Sequence, residues 1–203
     1  MAGRMKLYHN PQSRAVVARW MLEEVGADYE LVPVALREDG TRDPAILAVN
    51  PMGKIPTLVL EDETVVTESP AILAYLADRY PDAGMAPAVG TSERGSYYRW
   101  LFFVGSAFEP ALIEKMMRKD APQLPKMAPG WGSFDDVVDT IEGALEDRAH
   151  LVGDRFTAAD LYMASGLWWG GMFGAPRLKE STAIQTFVGR AADRPAFKRA
   201  MAG

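Results

Sequence analysis

The residues best suited to chemistry lie in two short stretches. Asn50-Pro51-Met52-Gly53-Lys54-Ile55-Pro56-Thr57-Leu58 places two prolines and a glycine just before a β-branched run, which leaves few backbone donors and confines the path of the loop. Such a loop presents main chain to something. A cis Ile55-Pro56 bond would turn the Ile55 amide and carbonyl outward, where they pair with an extended peptide as a sheet edge does; a trans bond would make the segment an ordinary entry into a strand. Further on, Glu68-Ser69-Pro70 ends a strand and opens a helix, with Ser69 at the N-cap and Pro70 at the first helical position. A helix N-terminus suits a carboxylate and a Glu suits an ammonium, the two groups of an α-amino acid. Helix capping alone is the competing reading.

Both stretches need elements to hold them. Met5 to His9 reads as a strand, Ser13 to Val25 as a helix stopped by Gly26, and Tyr29 to Val34 as a second strand despite Pro33. A polar loop, Arg37 to Arg42, leads to a helical turn at Pro44 to Val49. Thr57 to Leu60 and Val65 to Thr67 flank the acidic turn Glu61-Asp62-Glu63 as a hairpin, and Ser69 to Tyr80 is helical. The order is βαβαββα. Residues 81–90 hold two prolines and two glycines and read as a linker. Every strong periodic segment beyond is helical: Thr91 to Met117, bent near Glu109-Pro110, then Asp135 to Leu151, Thr157 to about Met172, Thr182 to Asp193 and Pro195 to Met201. An α/β domain over 1–82 followed by an all-helical domain over 90–203 is the expected organisation. Phe156-Thr157-Ala158-Ala159-Asp160-Leu161 carries a capping box, with Asp for Glu or Gln, and a hydrophobic staple; Thr157 and Asp160 are structural, and Asp160→Ala is expected to cost about 1 kcal/mol.

Composition narrows the function classes. The 203 residues are 48% apolar and 24% charged, enough for a sizeable core. Lys plus Arg number 22 against 27 Asp plus Glu, so no basic surplus points to nucleic acid. Cysteine is absent, which removes disulfides, thiolate zinc sites and a protein thiol nucleophile; any sulfur chemistry uses a borrowed thiol. His9 and His150 lie far apart without carboxylates at ligand spacing, so no metal is expected. The sixteen uncharged residues between Asp160 and Arg177 include four glycines and fall short of a bilayer span. No signal-peptide core follows Met1 to Lys6, and a cytoplasmic location is expected.

The motif N-P-x-G-K-I-P-T-L followed by E-S-x-A-I, together with the domain order, resembles the glutathione transferase superfamily over almost the whole chain. The resemblance implies a thioredoxin-like N-terminal domain, a helical C-terminal domain, glutathione as cosubstrate and a homodimer. It implies a cis Pro56, main-chain pairing of Ile55 with the cysteinyl part of glutathione, and Glu68 and Ser69 at the γ-glutamyl end. Lys54 would add a contact to a glutathione carboxylate.

Glutathione's thiol should titrate near 8.5, so the protein has to lower its pKa by about two units, roughly 2.7 kcal/mol. One hydrogen bond to a charged acceptor supplies about 1.5 to 3 kcal/mol. Ser13, Tyr8 and Asn10 are the candidates, in that order, and main-chain N–H groups are the alternative to all three. Ser13 stands at the start of the helix, where its hydroxyl can accept from a backbone N–H and donate to sulfur. The electrophile would be small and hydrophobic, with Phe103 and Phe108 lining its pocket and Trp168 and Trp169 as alternatives. Conjugation, with peroxide reduction as a side activity, is the expected function; a non-catalytic glutathione carrier or interaction module of the same fold is the other reading.

Overall fold

The computed structural model describes residues 3–36, 42–118, 122, 124–173 and 175–202. Residues 37–41 of the expected polar loop lie outside them.

The chain divides into two compact units, one running to Met85 and resuming at Arg194, the other Ala86–Asp193. In the first, β1 (Met5–His9) runs parallel to β2 (Tyr29–Pro33) and antiparallel to β3 (Thr57–Val59), which pairs antiparallel with β4 (Val65–Thr67). The sheet order is β2-β1-β3-β4. Met5, Leu7 and His9 are buried while Lys6 and Tyr8 are half-buried, the period-two pattern of a strand with unlike faces. Helix α1 (Ala15–Val25) buries Val17, Ala18, Trp20, Met21 and Leu22. It ends at Gly26, whose φ of 65° lets its amide return to the Leu22 carbonyl. Asp43 caps the short α2 (Pro44–Leu47) by accepting from the Ala45 amide, and α3 (Ser69–Arg79) follows β4. This is the expected βαβαββα order, the thioredoxin-like fold.

The second unit is helical: α4 (Ser92–Phe103), a π-helical turn (Val104–Phe108), α5 (Glu109–Met117), α6 (Phe134–Leu145), α7 (Ala158–Met172), α8 (Pro176–Glu180) and α9 (Thr182–Ala192). The long first helix widens at Val104–Phe108, before the expected bend at Glu109-Pro110. Pro110 has no amide and its ring crowds the carbonyl of Ser106, so the preceding turn opens and the Glu109 amide reaches back to Val104. Helix α6 stops at Leu145, short of the expected Leu151. The chain turns at Asp147, φ 56°, and the Leu151 amide donates to Asp160 Oδ1 at 2.7 Å. Asp160 Oδ2 accepts from the Thr157 amide and from Thr157 Oγ1, both at 2.8 Å, which completes the capping box of α7. Asp160 is fully buried, and burial pushes its carboxyl pKa up.

The last helix, α10 (Pro195–Met201), belongs to the first unit, whereas the sequence reading places it in a helical domain over 90–203. Arg194 makes a two-pronged ion pair with Glu24, at 2.6 and 2.8 Å, and Trp20 Nε1 donates to the same carboxylate at 2.9 Å. Phe197 packs edge-on against Trp20 with ring centroids 4.8 Å apart. Among the described residues, no helix is long and apolar enough to cross a membrane.

Candidate functional site

Strand register decides what can meet. Tyr8 lies opposite Thr57 and Thr57 opposite Thr67, so these three residues form one row across β1, β3 and β4. Beyond that row, at the same end of the sheet, the chain carries Asn10 and Ser13 after β1, Ile55 and Pro56 before β3, and Glu68 and Ser69 after β4. Segments far apart in sequence are thereby gathered at one end of a four-stranded sheet.

The loop before β3 is braced from within by Asn50. Asn50, buried, donates from Nδ2 to the Lys54 carbonyl at 3.0 Å and to Thr57 Oγ1 at 3.1 Å, and its Oδ1 accepts from the Met52 amide at 3.0 Å. Thr57 Oγ1 also donates to the Lys54 carbonyl at 2.9 Å. The Ile55-Pro56 bond is cis. Among the described residues the Ile55 amide and carbonyl have no hydrogen-bond partner. Lys54 is exposed. The sequence reading passed over Asn50 and Thr57 as positioning groups. The signal for Asn50 was its type: an Asn before Pro at the head of a tight turn closes it with its own side chain.

At the start of α3 the cap differs from expectation. Ser69 is the first helical residue and Glu68 occupies the cap position, at φ 69° and ψ 120°, with no side-chain capping bond. A non-glycine residue held there is strained, a conformation that collects at ligand sites. The Glu68 side chain is exposed and has no ion pair among the described residues. Ser69 is only 8% exposed, yet its hydroxyl has no hydrogen-bond partner among the described residues. A carboxylate and a hydroxyl, both without a partner among the described residues, thus stand together at a helix N-terminus.

The three candidate thiol partners differ in what they already do. Asn10 is engaged at both ends: Nδ2 donates to the Val34 carbonyl at 2.8 Å and Oδ1 accepts from the Gln12 amide at 2.9 Å. Ser13 Oγ accepts from the Ala15 amide at 3.1 Å and donates to the Asn10 carbonyl at 2.7 Å. Tyr8 is half-buried, and its hydroxyl has no partner among the described residues. Beneath this turn His9 is 5% exposed with an unpartnered Nε2, and burial together with the nearby Arg19 charge lowers its pKa to about 4.

His9 makes stability depend on pH. The folded state holds the imidazole neutral down to about pH 4, whereas the unfolded chain takes up a proton below its ordinary 6.5. Stability that is present above pH 6.5 is therefore lost as pH falls from 6.5 towards 4, by about 3 kcal/mol. Urea unfolding at pH 7 and pH 4.5 should show that slope in the wild type and a shallower one in His9→Phe.

In the helical unit, Phe108 is a correction to the sequence reading. It is completely buried, with a ring carbon 3.1 Å from where a Cβ on Gly166 would stand, and so has no surface to offer a pocket. Phe103 is half-buried and meets Trp100 edge-on, with ring centroids 5.3 Å apart; Trp168 and Trp169 are half-buried as well. Among the described residues no group of three or more His, Cys, Asp or Glu could hold a metal ion.

Comparison with known proteins addresses the assembly as a whole. The family description "Glutathione S-transferase, N-terminal domain" matches residues 3–78 and "Glutathione S-transferase, C-terminal domain" matches residues 133–195. Glutathione S-transferase GstA of Escherichia coli O157:H7 is 30% identical over 198 residues, covering 97% of each chain. Among solved structures, a glutathione transferase from Methylococcus capsulatus matches with a TM-score of 0.81 and 32% identity over 97% of each chain. A sphingomonad glutathione S-transferase complexed with glutathione matches at 0.80 and 32%, over 97% of this chain and 96% of that one. With both domains matched and the relatives aligned end to end, the chain belongs to the glutathione S-transferase superfamily.

Proposed function

We propose that the protein binds glutathione across the end of its sheet and transfers the thiolate to small, hydrophobic electrophiles. The observation that carries this reading is the pair at the start of α3: a strained Glu68 beside a buried Ser69, the carboxylate of the one and the hydroxyl of the other having no partner among the described residues. Glu68 takes the α-ammonium of the γ-glutamyl end, and Ser69 with the helix N-terminus takes its carboxylate. The Ile55 amide and carbonyl pair with the cysteinyl unit, and Lys54 meets a carboxylate. The span agrees: three strands set about 4.8 Å apart cover roughly 10 Å, the length of an extended tripeptide.

Ser13 then serves the sulfur. Its hydroxyl is polarised by the Ala15 amide, and its proton goes to a neutral carbonyl, that of Asn10. An anionic sulfur is the stronger acceptor, by roughly a factor of two, and draws that proton to itself. The thiol proton leaves to solvent, the sulfur lone pair forms the new bond to the electrophilic carbon, and the leaving group departs with its electron pair. Phe103 contributes apolar surface for the electrophile. Peroxide reduction by the same thiolate is a side activity. A cytoplasmic setting keeps glutathione reduced, and the working form is a homodimer, which sedimentation at micromolar concentration tests.

Calorimetric titration with glutathione, followed by a chlorodinitrobenzene assay, tests the reading; absence of binding heat would sink it. Ser69→Ala is expected to weaken glutathione binding about tenfold, the loss of one charge-assisted hydrogen bond. The alternative, a glutathione carrier without turnover, draws on the bond that already occupies the Ser13 proton. It predicts binding heat without the ultraviolet absorbance of a bound thiolate.

A further inference from the structure

Arg42 lies at the edge of the loop that carries Ile55, and what it does there is read from a missing atom. Gly53, at φ 59°, follows the tight turn in which its amide donates to the Asn50 carbonyl at 2.8 Å. A Cβ built on Gly53 would stand 2.3 Å from Arg42 Cδ, 3.1 Å from its Cγ and 3.2 Å from its Nε. The aliphatic stem of Arg42 therefore crosses the bare α-carbon of Gly53 in close contact. At the far end of the stem, Arg42 Nη1 donates to the Pro51 carbonyl at 3.3 Å. Among the described residues Arg42 has no carboxylate partner, and its printed hydrogen bond goes to the loop itself.

We propose that Arg42 is a positioning residue for glutathione, its stem clamping the turn 50–53 from outside while Asn50 holds the same turn from within. Two grips on one turn fix the register of Lys54 and Ile55 before the ligand arrives, so less ordering is left for binding to offset. The glycine is required twice over, once for its positive φ and once because any side chain would lift the arginine stem off the loop. This inference rests on the glutathione reading above.

The test is a double-mutant cycle on glutathione affinity in the full-length protein, using wild type, Arg42→Ala, Gly53→Ala and the double variant. Arg42→Ala should raise KM for glutathione about fivefold and leave kcat within twofold, because the clamp acts on the loop and not on the reacting sulfur. Gly53→Ala should cost more than tenfold in the wild-type background but less than about threefold once Arg42 is alanine, since only the strain at φ then remains. Equal costs of Gly53→Ala in the two backgrounds would overturn the clamp. So would an Arg42→Ala effect that vanishes when glutathione esterified at its glycyl carboxylate replaces glutathione, because the guanidinium would then be acting on the ligand directly. Failure of the wild type to bind glutathione overturns the functional reading and this inference together; wild-type binding with additive variants overturns only the clamp.

Discussion

Replacing Ser13 by alanine is expected to raise the pKa of glutathione's thiol in the binary complex by about one to two units, and to lower kcat/KM at pH 7 about 10- to 100-fold. The size follows from one hydrogen bond to an anion, about 1.5 to 3 kcal/mol, at 1.36 kcal/mol per pKa unit. The direction follows from charge: the hydroxyl donates to the thiolate and cannot donate comparably to the neutral thiol, so its removal favours the protonated form. The deficit should close as the assay pH is raised past the variant's thiol pKa, and an ultraviolet titration of the binary complex reads the same shift without turnover. Tyr8→Phe is the companion variant, because Tyr8 has a hydroxyl with no partner among the described residues. An unmoved thiol in Ser13→Ala together with a shifted one in Tyr8→Phe would transfer the role to Tyr8.

Asp160→Ala is expected to destabilise the protein by roughly 3 kcal/mol, about three times what a capping box alone suggests. The carboxylate holds the Thr157 amide and hydroxyl and also the amide of Leu151, nine positions upstream, and all three residues are buried. Truncation leaves those donors buried without acceptors, and that penalty exceeds the worth of the bonds themselves. For a chain of this size the melting temperature should fall by about 6 to 12 °C. Glutathione affinity at a temperature well below the transition should hardly change, since Asp160 lies in the helical unit and the proposed ligand contacts lie in the other. A loss nearer 1 kcal/mol in urea unfolding would mean that the Leu151 amide finds another acceptor.

What the sequence disclosed and what it withheld divide along the range of the forces involved. Strands β1, β3 and β4 and the helix stop at Gly26 depend on residues within a few positions of one another, and each was legible. The loop 50–58 was legible for the same reason, through its prolines and glycine. Asn50 as the inner brace required knowing that Lys54 and Thr57 fold back on it. The one-residue offset at Glu68 arises because β4 delivers the chain to α3 at a positive φ, a tertiary demand that no capping preference anticipates. Phe108 misled because what covers it, Gly166 of α7, lies 58 positions further along the chain, and nothing within its own helix announces that contact. The π turn itself had a local cause in Pro110, although the proline marks where the disturbance is absorbed only to within a turn.

The ion pair between Arg194 and Glu24 joins positions 170 apart. Ribosomes add about 5 to 20 residues per second, so the 170 positions between the two partners keep α1 waiting roughly 9 to 34 s for its partner helix. During that interval Trp20 and the Glu24 carboxylate lack the cover that α10 later gives them. The half of the molecule that is made first is therefore the half that is finished last.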